Sequence, residues 1–252
     1  MRANFPKFDV SDRLRIGAAT PEARSTRQFL LIATLVTIAL NFVPGSNYLL
    51  YPLRLFITFV HESGHAFASL LVGGGVVSLA VSPDTSGLTQ SVVSNSPLTA
   101  WLVSSAGYLG TTLFGALLLQ LGGVRSLKNA GRTMLYACAL TMLGIMIWAR
   151  DPFTLITGLS IAGIFWFTAH KATPRVAEFI AMFLAVQCSL NALFDLRTLV
   201  YISTQMPETH SDALNMQHMY LLPAAFWALL WAIAAVGILS VSLWGYLRRT
   251  SR

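Results

Sequence analysis

Phe59-Val60-His61-Glu62-Ser63-Gly64-His65-Ala66-Phe67 reads H-E-x-x-H inside an apolar run. On a helix, positions four apart lie one above the other on the same face. His61 and His65 therefore offer two imidazoles to a single zinc ion, and Glu62 stands beside them to take a proton from water that the ion activates. The run around them, 52–72, has the length of a membrane-spanning helix. Ionisable groups at that depth are expensive, face the protein interior and mark function.

The rest of the chain fits a membrane setting. It has 252 residues, 55% of them hydrophobic and only 11% charged, against roughly 25% charged in soluble domains. The two cysteines, Cys138 and Cys188, sit apart in apolar runs, so they read as packing residues and not as a disulfide or a thiolate metal site. The net charge of +7 is concentrated at the ends of apolar runs, including Arg24 and Arg27 before the first and Arg248 and Arg249 after the last. That placement serves anchoring in a lipid bilayer and excludes a nucleic-acid surface.

The pattern predicts an all-α polytopic membrane protein of about six to seven transmembrane helices. Residues 1–27 form a polar, basic tail without a signal peptide, 28–247 the transmembrane domain, and 248–252 a basic C-terminal tail. Spans are expected at 28–44, 52–72, 97–121, 133–149, 152–169, 175–203 and 219–247. Pro52 suits the first turn of the second span. Between the second and third spans, the partly alternating runs Gly75–Ser82 and Leu88–Val93 flank the turn Pro83-Asp84-Thr85-Ser86-Gly87. That predicts a small β-hairpin directly after the zinc-binding helix. Basic residues flank both ends of an odd number of spans, so the positive-inside rule leaves orientation open.

A catalytic zinc usually takes three protein ligands and keeps one position for water. The third ligand is expected from a later segment. Asp195, inside the 175–203 span, is the preferred carboxylate, with Asn191 four residues before it on the same face, placed either to hydrogen-bond that carboxylate or to polarise a substrate carbonyl. Asp212, in the polar connection 204–217, ranks second. Glu178, His210 and His218 read as interfacial or connecting residues.

His61-Glu62-Ser63-Gly64-His65 in an apolar span resembles the H-E-x-G-H signature of the site-2 protease family of intramembrane zinc metallopeptidases. The following Ser82-Pro83-Asp84-x-Ser86-Gly87 turn and Ala106-Gly107-Tyr108-Leu109-Gly110 are similar to a compact bacterial branch of it, without a PDZ module. The resemblance implies one zinc ion per chain, an integral multi-pass protein of a bacterial cell membrane, and transmembrane proteins as substrates. The family's third ligand is an Asp on a later span in an N-P-x-D-G or L-D-G setting. Asn191 and Asp195 keep the Asn and the Asp, whereas Leu196 stands where the family has Gly. An extended substrate is expected to add to an exposed edge of the hairpin at Val77 and Leu79. The competing function is a non-proteolytic membrane protein that binds a metal or a partner. Glu62 discriminates, because a metal holder has no need of a carboxylate beside its first His. Substrate identity and oligomeric state are not encoded in these motifs.

Overall fold

The computed structural model describes residues 21–43, 45–122, 129–205 and 211–251, with the side chains of 21–27, 29, 41, 42, 47, 191–205 and 249–251 outside the description. Among the described residues, eight α-helices and one two-stranded sheet follow in chain order. Helix α1 covers Pro21–Phe42, α2 Ser46–Leu71, α3 Pro97–Gly122, α4 Ala130–Ile145, α5 Pro152–Lys171, α6 Pro174–Gln205, α7 Asp212–Tyr220 and α8 Ala224–Ser251. Strands β1, Gly75–Val81, and β2, Gly87–Val92, form the expected hairpin.

Among the described residues, four helical stretches are long and apolar enough to cross a membrane: α3, α4 with the 3-10 turn after it, α5, and α8 as far as Arg248. The expected six to seven spans are not reached by that measure. Helix α2 is diluted by Arg54, His61, Glu62, Ser63, His65 and Ser69, and α1 contributes only the shorter apolar stretch Leu30–Leu40. The outward faces carry large apolar side chains, among them Leu117, Leu140, Ile156, Phe167, Ile233 and Val241, all more than half exposed. A continuous apolar exterior of this kind suits lipid and not water.

Several boundaries differ from the sequence expectation. Helix α1 starts at Pro21, inside the stretch read as tail, and α8 runs on to Ser251. Pro52 lies within α2 and not in its first turn, because the helix already begins at Ser46, after Gly45 in the left-handed region. The apolar stretch 219–247 is not one helix. It breaks at Leu221, which takes a positive φ, and Pro223, where proline cannot continue the hydrogen-bond ladder.

Local chemistry explains other ends. Asp151 caps α5 by accepting from the Thr154 N–H at 2.9 Å, with Pro152 following. Gly73, at φ 79°, ends α2, and the Gly74 N–H returns to the Ser69 carbonyl at 2.9 Å.

Helix α3 is the centre of the fold. It packs against α2, α6, α7 and α8. The main core joins α2, the hairpin, α3, α4, α5 and α6 through Phe56, Phe59, Leu79, Leu118, Met142 and Met182, among others. Cys138 and Cys188 are free thiols buried in this core, as their apolar settings indicated. A second, smaller core of Tyr108, Ala213, Met216, Trp227 and Trp231 joins α3 to α7 and α8.

The hairpin lies on α2. Tyr51 and Thr58 donate to the carbonyls of Pro83 and Thr85, at 2.7 and 2.8 Å. Leu79 and Val81 enter the main core. On the outer side of β1, Leu79 bridges to Ala149, and the Val81 N–H donates to the Thr154 hydroxyl oxygen at 2.9 Å. Among the described residues, β2 pairs only with β1, so the exposed edge belongs to β2. Of the two positions expected at an edge of the hairpin, Leu79 is bridged to Ala149, while Val77 is half exposed.

Candidate metal centre

His61 and His65 sit one turn apart in α2, and α7 carries Asp212 to them. The two Nε2 atoms are 3.1 Å apart, and each lies 3.2 Å from Asp212 Oδ2. A tetrahedral zinc site with metal–donor distances of about 2.0–2.2 Å places its donors about 3.3 Å apart. Two imidazoles and one carboxylate at this spacing therefore fit a single divalent ion.

The shell around the cluster is fixed by neighbours. The His65 Nδ1–H donates to the Val103 carbonyl at 2.7 Å. A carbonyl only accepts, so this bond selects the tautomer that leaves the Nε2 lone pair toward the cluster. Ser211 caps α7 by accepting from the Leu214 N–H at 3.2 Å. Gln217 accepts from the Ala224 N–H at 2.8 Å, and Tyr220 donates to the Pro97 carbonyl at 2.6 Å. These bonds hold the short helix between α3 and α8.

Glu62 is buried. Its Oε2 lies 2.7 Å from the Thr89 hydroxyl on β2. Gly87 is equally close, since a Cβ there would lie 2.5 Å from Glu62 Oε1. The backbones of α2 and α3 also meet at the site. A Cβ on Gly64 would strike the Ala106 carbonyl, and one on Gly107 would strike the Nε2 atoms of both histidines. Gly107 is thus the place on α3 where the cluster has room.

Among the described residues, Asp212, the second-ranked carboxylate from sequence, lies with the two histidines. Asp195 and Asn191 lie on α6, and their side chains are outside the described residues, as is His210. The sequence reading overlooked Thr89 and Gly87. The alternation of β2 was the available signal, since it puts Thr89 and Ser91 on the face toward α2, where Ser91 accepts from Ser69 at 2.9 Å.

Among the described residues, the fold joins membrane-length apolar helices to a two-His, one-carboxylate group that could hold a metal ion, in which His65 is buried, beside the buried Glu62. The chain matches the Peptidase M50B-like family model over residues 31–242 and belongs to that family, within the site-2 protease group. No curated protein and no solved structure matches it.

Proposed function

We propose that the chain is an intramembrane zinc endopeptidase that hydrolyses peptide bonds within or beside the transmembrane segments of other membrane proteins. The observation that carries this reading is the mutual 3.1–3.2 Å spacing of His61 Nε2, His65 Nε2 and Asp212 Oδ2. Those three residues hold the ion, with Asp212 taking the place given to Asp195 from sequence. When bound, zinc lowers the pKa of a coordinated water toward about 7 and polarises the scissile carbonyl. Glu62 removes a proton from the attacking water and returns it to the leaving amine. Thr89 orients the Glu62 carboxylate through its hydroxyl. Asn191 keeps its proposed part in polarising the substrate carbonyl.

The test is made on detergent-purified protein. We expect one zinc per chain and cleavage of a model transmembrane peptide that stops on chelation and returns when zinc is added back. Cleavage indifferent to chelation would overturn the reading.

The substrate has to present an extended backbone, because a helix shields its peptide bonds. We propose that it adds as a strand to the exposed edge of β2, next to Glu62. Adjacent residues of a strand point their N–H groups to opposite sides, so proline at Gln90 or at Ser91 removes one outward N–H. One of these two variants is expected to lose most cleavage while keeping its zinc. Wild-type cleavage by both would remove strand addition from the mechanism.

A further inference from the structure

The two histidines of the cluster are held in different ways. His65 has the Val103 carbonyl on its Nδ1. Among the described residues, no hydrogen bond reaches Nδ1 of His61, whose recorded polar contacts are all made by Nε2. Tyr108 stands there instead. Its ring meets His61 nearly perpendicular, at 88°, with centroids 4.7 Å apart, the edge-to-face arrangement that aromatic rings favour.

Tyr108 is itself held. Trp231 of α8 stacks on it, with centroids 5.1 Å apart and planes at 18°. The Trp231 Nε1–H donates to Ser105 Oγ at 3.0 Å, one turn before Tyr108 on α3. Both rings are nearly inaccessible to solvent. They share a core with Ala213 and Met216 of α7, the helix that begins with Asp212. One aromatic pair thus touches the His61 ring on one side and packs the Asp212 helix on the other.

We propose that Tyr108, locked by Trp231 and Ser105, is the positioning residue for the His61 imidazole and for the seat of the Asp212 helix. This rests on the metal-site reading of the cluster. A ligand histidine needs its ring plane fixed so that the Nε2 lone pair meets the ion, and a hydrogen bond on the other nitrogen usually does that. For His61, the wall of two stacked rings restricts rotation about the ring bond. The part assigned to Tyr108 is its flat face, backed by Trp231.

The test is zinc affinity, measured by chelator competition on the full-length protein, with the absorption spectrum of the cobalt-substituted protein as a second readout. Tyr108→Phe should bind zinc like the wild type. Tyr108→Leu should weaken zinc by about tenfold or more, the range in which supporting contacts act on metal sites, and should change the cobalt spectrum. Trp231→Leu should move both readouts in the same direction, and it carries the test if Tyr108→Leu does not fold. A leucine variant whose metal-free form melts earlier, yet binds zinc with wild-type affinity and an unchanged cobalt spectrum, would reduce the pair to packing and overturn the proposal. Absence of zinc from the wild type would instead overturn the metal-site reading itself.

Discussion

Glu62→Gln is expected to lower cleavage by about 10²–10⁴-fold, the range over which positioned general acids and bases contribute, with zinc content unchanged. Glutamine has nearly the volume of glutamate and still accepts the Thr89 hydroxyl through its amide oxygen, so the contact at Glu62 Oε2 is kept. What it lacks is a carboxylate that can take a proton. His61, His65 and Asp212 are untouched, so the donor set keeps its geometry. Turnover of a model transmembrane peptide and metal analysis on the same preparation check both halves. Equal cleavage by the wild type and Glu62→Gln would remove Glu62 from the chemistry. Zinc in both with cleavage by neither would favour a metal-holding relative without protease activity.

Asp212→Ala is expected to be the most damaging change for the metal. It takes one of three protein donors and leaves the two histidines 3.1 Å apart with no anionic partner. Zinc affinity should fall by more than about 100-fold, beyond what the loss of a supporting contact costs, and cleavage should fall with it. Asp195→Ala is expected to keep its zinc. The pair of variants decides between the two carboxylates, and chelator competition reads the result directly. If Asp195→Ala loses its zinc while Asp212→Ala retains it, the ligand assignment is reversed.

The difference between these two carboxylates shows what the sequence could and could not tell. The helix with the His pair, the hairpin after it and the start of α5 at Asp151-Pro152 are local features, and each left a pattern in the residues. Periodicity, a capping side chain and a run of glycines act within a few positions. The meeting of His61 with a residue 151 positions later is not local. Depth in an apolar run favoured Asp195, since a charge there must have a purpose. Asp212 sits in a polar connection, and such connections usually lie outside the membrane.

What brings Asp212 inward is the break at Leu221 and Pro223. It frees α7 to turn its apolar Ala213 and Met216 onto Tyr108 and Trp231. Hydropathy blends that break into the long apolar stretch that follows. The role of Gly107 is hidden for a similar reason. Small residues on a membrane helix permit close packing, but only the fold shows that the neighbours at Gly107 are the two metal-facing nitrogens.

On the proposed function, the 151-residue separation of His61 from Asp212 also sets when a chain becomes dangerous to its surroundings. While the protein is being made, the H-E-x-x-H helix enters the membrane early and α7 is among the last elements to emerge. Until it does, the histidines lack Asp212, and on the proposed function the nascent molecule is disarmed among unfolded transmembrane segments of the kind it would cut. A product truncated before Ser211 stays in that state. Completion of the chain acts as its own safety catch.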